Sequence, residues 1–301
     1  MKLLQSELYL GMMELSLLDK IKRLVIVALV TDDILMETLV LKGGNALSIA
    51  YGVGNRGSVD LDFSMEQDFA DVHQTVQTIA TNLAETFAAH QLHAFDVKVE
   101  EKPGTMPVAL RSFWGGYRIK FKVADAAILA RYGHDPKQLQ RASLELGTAE
   151  FRSKSFSVDI SRYEYCGHKV AHELDGLTYY VYPPQLLVFE KVRAICQQMP
   201  EYVPIVPTHH PRARARDFYD IHSLMEGFDI DVESAESQDV LRQVFAAKKV
   251  PIEFLEQLAT TQHYHEVDFP AVRSTVTDPS STQPFAFYFD YVVSRFGQLL
   301  R

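Results

Sequence analysis

The sequence predicts an α+β fold: a mixed α/β unit over residues 1–181, then a helical unit over residues 182–301. Three observations predict it. Short runs of alternating apolar and polar residues recur between residues 39 and 160. From Tyr182-Pro183-Pro184 onward, apolar residues recur at helical spacing instead. A composition of 47% hydrophobic and 23% charged residues is enough to bury a substantial core.

Residues 10–38 carry Leu15, Leu18, Ile21, Leu24, Val25 and Leu29 close to a 3.6 period, which predicts one or two amphipathic helices. Leu39-Val40-Leu41 is a short apolar strand that meets Lys42-Gly43-Gly44. A helix is expected from Asn45 to Tyr51, closed by Gly52 and Gly54. Ser58-Val59-Asp60-Leu61-Asp62-Phe63-Ser64 alternates strictly and predicts a strand. Val72 to His90 is amphipathic, and the stretch from Phe95 to Ile160 is strand-rich. Arg111 to Val123 is expected to form a hairpin broken at Gly115-Gly116, and 156–161 alternates again. A long helix follows over 185–198, then a loop with Pro200, Pro204, Pro207 and Pro211, then a helix from Ala215 to Glu226. No internal repeat is present, and the last 75 or so residues carry no diagnostic pattern.

The formal net charge of -9 argues against a general nucleic-acid coat protein. A local basic groove remains compatible with it, because screening limits charge to a range of about 8–10 Å. Two cysteines, Cys166 and Cys196, provide no disulfide framework, as expected in a reducing cytoplasm. No run approaches the roughly 18 apolar residues that span a bilayer, and the first residues lack a signal-peptide pattern. The expectation is a cytoplasmic protein with no membrane partner.

In the alternating strand Ser58, Asp60, Asp62 and Ser64 fall on one face. Two carboxylates a few ångströms apart repel unless a cation lies between them, and hard oxygen ligands suit Mg²⁺, with Mn²⁺ as the substitute. A solvent-facing strand that happens to carry two aspartates is the alternative. Before that strand, Gly43-Gly44 at a helix start would seat an anion, or else form a plain strand-to-helix turn. The order is more specific than either part: strand, Gly-Gly, helix, Arg56, Ser58, then Asp60 and Asp62.

Leu41-Lys42-Gly43-Gly44-Asn45-Ala46-Leu47, followed by Arg56, Ser58, Asp60, Leu61, Asp62 and Phe63, resembles the first motif of the AbiEii/AbiGii-type nucleotidyltransferase toxins. These are DNA polymerase β-like enzymes, a group that includes the mycobacterial MenT toxins. Glu190-Lys191-Val192-Arg193-Ala194 and Arg216-Asp217-Phe218-Tyr219-Asp220-Ile221 resemble its second block. Asn45 stands where the family has threonine, and the proline-rich loop lengthens the gap between Lys191 and Asp217.

The resemblance implies a polymerase β-like core, a small mixed sheet with flanking helices, followed by a helical domain that closes over the nucleotide. Gly43, Gly44, Arg56 and Ser58 would then approach the phosphates, and Asp60 and Asp62 would hold Mg²⁺. Asp159 is the candidate third carboxylate, unless it is an ordinary exposed strand residue. Lys191 would bind the triphosphate, although its place beside an apolar stripe also fits a snorkelling lysine. Asp217 matches the family's second-domain aspartate. Arg216 and Asp220 have the spacing of an ordinary helix pair.

The implied reaction transfers a nucleotide from a nucleoside triphosphate to RNA, chiefly the 3′ end of transfer RNA, in a toxin paired with a cognate antitoxin. Two basic regions offer docking surfaces: Arg212, Arg214 and Arg216 beside His209 and His210, and Arg111, Arg118, Lys120 and Lys122 among Phe113, Trp114 and Tyr117. A solvated loop and an ordinary hairpin are the plain alternatives. The same site would also serve a protein hydroxyl or a small-molecule acceptor. A non-catalytic nucleotide-binding module is the third reading.

Overall fold

The structure, a computed structural model, describes residues 17–53, 59–147, 152–276, 280 and 282–299. The first described helix (α1, residues 17–30) buries Leu18, Ile21, Leu24, Val25 and Leu29 of the predicted stripe, whose sixth member, Leu15, lies outside the described residues. Asp32 caps the next helix, α2 (Asp33–Thr38), by accepting the Leu35 N–H. β1 (Val40–Lys42), α3 (Gly43–Ala50) and β2 (Leu61–Met65) follow. α4 (Val72–Ala89) is capped by Asp71 and buries Ile79, Leu83 and Phe87, spaced four apart along one face.

β3 (Leu92–Lys102), β4 (Gly116–Asp125), β7 (Phe156–Arg162), β8 (Val170–Leu174) and β9 (Leu177–Val181) join β1 and β2 in a seven-stranded mixed sheet. Its order is β3-β4-β7-β2-β1-β9-β8, and β5 (Leu146–Gly147) and β6 (Arg152–Ser153) form a separate two-stranded ladder. On one face Leu61, Phe63, Ile119, Phe121, Val158 and Ile160 are buried in the core.

Four sequence expectations change here. β4 pairs with β3, not with Arg111–Trp114, which lie in the turn that follows a short 3₁₀ helix (Val108–Leu110). The Gly115-Gly116 step is a site of close approach: a Cβ on Gly116 would sit 1.9 Å from the Ile160 carbonyl oxygen. The strand-rich stretch is interrupted by two short helices, α5 (Ala126–Tyr132) and α6 (Pro136–Ala142), each started by an aspartate cap. Asp60 lies in the bend ahead of β2, so the strand begins later than the alternation predicts. Ser64, expected on the same face as Asp62, is fully buried.

β9 ends at Val181 and α7 (Pro184–Cys196) opens at Pro184. α8 (Ala215–Gly227), α9 (Ala235–Ala247), α10 (Gln262–Glu266), α11 (Phe269–Thr275) and α12 (Phe285–Phe296) complete the helical half. One hydrophobic cluster holds residues of both halves, from Phe63 and Phe121 to Phe189, Phe218 and Phe245. Among the described residues, no helix is long and apolar enough to cross a membrane.

Candidate active site

Strand register assembles the site. Lys42 on β1 lies opposite Asp62 on β2, Asp62 lies opposite Asp159 on β7, and Asp159 lies opposite Arg118 on β4. Residues opposed across neighbouring strands share a face. The four side chains therefore form one transverse row with the charge order plus, minus, minus, plus. Two carboxylates directly opposed at its centre repel.

The acids register that repulsion. Burial pushes Asp62 up to about 6; Lys42 opposes the rise, while Asp159, Glu190 and Asp60 add to it. Burial and Asp159 raise Asp60 as well, against the pull of Arg118. Both groups hold protons more tightly than free aspartate, first because burial disfavours the charged form and second because neighbouring carboxylates add negative charge. A cation between them would offset the second cause.

The glycine turn lies against these acids. Gly43 has φ +70, and a Cβ built on it would stand 2.6 Å from Asp62 Oδ2. N–H groups in the first turn of a helix have no carbonyl of their own helix to bond, and here that turn is Gly43-Gly44-Asn45. The Asn45 amide donates to the Asp60 carbonyl oxygen, tying the start of α3 to the bend that carries the first acid. Gly43→Ala is accordingly expected to displace the Asp62 carboxylate and to reduce the nucleotide transfer that the resemblance implies about tenfold or more. The left-handed φ alone adds about 1–2 kcal/mol of strain. Steady-state kinetics beside urea unfolding separates the two effects.

Lys42 is the fixed counter-ion of the row. It is buried, with its ammonium 3.3 Å from Glu190 Oε1 and 3.6 Å from Glu164 Oε1. Against the cost of burial, Arg193, Lys248 and Lys42 hold Glu164 below the usual carboxylate range. Arg193 bridges Glu164 and Glu190 at 3.2 and 3.1 Å, and Lys248 reaches Glu164 at 3.4 Å. Two of the three charged positions of α7, Glu190 and Arg193, thus belong to the ion-pair group around Lys42.

The other predicted residues fall as follows. Lys191 is only 5% exposed, and its ammonium lies 3.1 Å from Asp217 and 2.8 Å from Asp220. Lys191, expected to bind triphosphate or else to snorkel at a helix edge, thus lies in a buried ionic group, which Arg214 joins through Asp217. Asp159 is next to Asp62 as expected, but Arg118 grips both of its oxygens, at 2.6 and 2.9 Å. Among the described residues no three His, Cys, Asp or Glu side chains gather as a ready metal cage. Arg56 and Ser58 lie outside the described residues.

The basic regions differ from their sequence appearance. Arg118, Lys120 and Lys122 share the partly exposed face of β4, paired with Asp159, Glu100 and Asp96. Phe113 and Tyr117 are buried, and Trp114 packs on Tyr202 and His209, so these aromatics do not interleave with the cations at the surface. A cavity of about 580 Å³ lies beyond the other ends of β1 and β2, lined by Asp32, Ile34, Glu66 and Asp71, and is separate from the acids.

Sequence reasoning assigned no role to Lys42, Asn45, Glu164 or Lys248. A lysine ending an apolar strand, and Glu190 and Arg193 within an apolar helix, were the available signals. Nothing local marked Glu164 or Lys248.

A sequence profile of the family described as "Nucleotidyl transferase AbiEii toxin, Type IV TA system" matches residues 26–292. Among solved structures, JHP933 from Helicobacter pylori is similar at 15% identity and a TM-score of 0.48, over 94% of this chain and 91% of that one. MenT4, the nucleotidyltransferase toxin Rv2826c from Mycobacterium tuberculosis H37Rv, is similar at 16% identity and a TM-score of 0.43, over 94% of this chain and 82% of that one. No protein with a curated description matches the chain.

Proposed function

Since the chain belongs to the AbiEii nucleotidyltransferase toxin family, we propose that it transfers a nucleoside monophosphate from a nucleoside triphosphate to RNA, at the 3′ end of transfer RNA, with Mg²⁺ held by Asp60 and Asp62. The observation that carries this proposal is the row in which Asp62 and Asp159 oppose each other beside the Gly43 turn.

Residues 1–181 serve as the nucleotidyltransferase core and 182–301 as the helical domain. Asp60 and Asp62 fit a divalent cation, because both are carboxylates whose proton affinity is raised by burial and by the neighbouring Asp159, and hard oxygen ligands suit such an ion. Bound there, Mg²⁺ would neutralise charge developing on the α-phosphate; Mn²⁺ satisfies the same oxygen ligands. The Gly43-Gly44 N–H groups face the triphosphate, with Arg56 and Ser58 contributing from the adjoining segment. Asp159 supplies the third carboxylate or accepts the proton of the attacking hydroxyl. Lys191 and Asp217 take a positioning part: they hold α7, which carries Glu190 toward Lys42, against α8. The acceptor hydroxyl attacks the α-phosphorus, the bond to the β-phosphate bridging oxygen breaks, and pyrophosphate leaves. The proposal includes a cognate antitoxin, in keeping with a toxin of a type IV toxin–antitoxin family, and a cytoplasmic site of action.

Purified protein incubated with Mg²⁺, labelled nucleoside triphosphates and transfer RNA tests the proposal. Label is expected on the transfer RNA, and none with Asp60→Asn and Asp62→Asn together. Label found only on protein or on small molecules would remove the RNA acceptor.

A pH dependence follows. With Asp62 at about 6, protons compete with the cation below that value. The Mg²⁺ concentration for half-maximal activity is expected to be flat above about pH 7 and to rise about tenfold per unit below pH 6. Mg²⁺ titrations from pH 5 to pH 8 check it.

A further inference from the structure

The two cations that flank the acidic pair are held in opposite ways. Lys42 is buried between two carboxylates, and its leaving would cost each of them a buried ion pair. Arg118 lies near the surface, with its side chain 39% exposed and that of its partner Asp159 33% exposed. Its Nε and one terminal nitrogen take both Asp159 oxygens, at 2.6 and 2.9 Å. Asp159 lies directly opposite Asp62, and Asp60 and Glu100 are also within electrostatic reach of the guanidinium. One guanidinium thus occupies the carboxylate that would complete a three-acid site.

We infer that Arg118 is an exchangeable counter-ion: it keeps both Asp159 oxygens occupied while no nucleotide is bound, and passes to a phosphate oxygen of the entering triphosphate when a divalent cation takes Asp159. This rests on the cation site proposed above. A guanidinium is suited to the exchange because the fork that fits two carboxylate oxygens also fits two phosphate oxygens. Exposure keeps the exchange cheap, since a solvated ion pair contributes little to holding either partner in place. The device keeps a surface cluster of carboxylates from collecting divalent cations without substrate. It also couples completion of the site to arrival of the triphosphate.

The test is Mn²⁺ binding to the nucleotide-free full chain, read from the electron paramagnetic resonance of free Mn²⁺. Nucleoside triphosphate affinity is measured alongside. Arg118→Gln is expected to bind Mn²⁺ about tenfold or more tightly than the unaltered protein, because a competing positive charge has gone. It should bind the triphosphate about tenfold or more weakly. Arg118→Lys keeps the charge but loses the fork, so Mn²⁺ binding should tighten less and triphosphate binding should still fall. Asp159→Asn with Arg118→Gln should lose the gain in Mn²⁺ affinity.

Unchanged or weaker Mn²⁺ binding in Arg118→Gln, with the same melting curve as the unaltered protein, would overturn the inference and leave the cation site standing. Mn²⁺ binding that does not change in Asp60→Asn with Asp62→Asn would overturn the cation site itself, and the inference with it.

Discussion

Asp62→Asn is expected to lower nucleotide transfer by about 10³-fold or more and, at the same time, to raise the melting temperature of the nucleotide-free protein. The loss follows from removing one of two carboxylates that hold the cation. The gain follows from the cost of keeping Asp62 charged where it stands. Its pKa is about 6, against an unperturbed 3.8. An acid whose folded pKa is raised stabilises nothing when ionised. It withdraws stability as pH rises from the unfolded value through the folded one, here from about 4 to about 6. The full penalty above pH 6 is about 3 kcal/mol, as two pKa units at 1.36 kcal/mol each imply. The asparagine variant should therefore melt higher than the unaltered protein at pH 7–8, and the difference should vanish below about pH 4. Differential scanning calorimetry across that range, without divalent cation, measures it. A variant that is inactive and also less stable at pH 8 would mean that Asp62 is a structural residue.

Lys191→Met is the second. It removes a buried ammonium that lies between Asp217 and Asp220 and leaves two carboxylates with side chains 6% and 4% exposed. Breaking a buried ion pair by taking one partner costs about 3–5 kcal/mol. Arg214 still faces Asp217 and lies within electrostatic reach of Asp220, which sets the loss toward the lower end of that range. Urea unfolding should show a fall of that size, and adding Asp220→Leu should restore much of it. A direct phosphate contact predicts a different pattern, in which the nucleotide KM rises and the unfolding midpoint stays put.

The parts of this site that lie close along the chain were legible in the sequence. Asp60 and Asp62 stand two apart beside alternating apolar residues, and Gly43-Gly44 interrupts a strand before a helix. Those local patterns predicted the acids and the turn, and the structure brings them to within a side chain of each other. The pairing register was not legible, because it is fixed by distant packing. Lys42 and Asp159 reach Asp62 through β1 and β7, strands of which one ends 20 residues before it and the other begins 94 residues after it. The same limit explains the misassigned partner of β4: two adjacent glycines resemble a hairpin turn, and only the neighbouring strand reveals that Gly116 makes room for the Ile160 carbonyl. Lys191 shows a third limit. Helical spacing placed it at the edge of an apolar stripe, and nothing nearby in sequence announced that α8 would bring two carboxylates over it.

Lys248 carries a consequence for inheritance. It closes α9 in the second half of the chain, yet its ammonium donates to the carbonyl oxygens of Phe113 and Arg162 and faces Glu164, all in the first half. Exchanging the back half between diverged relatives would separate that lysine from the acceptors it fits. Recombinant genes with a breakpoint near codon 182 should therefore encode poorly matched chains, and lineages should retain the two segments from one parent.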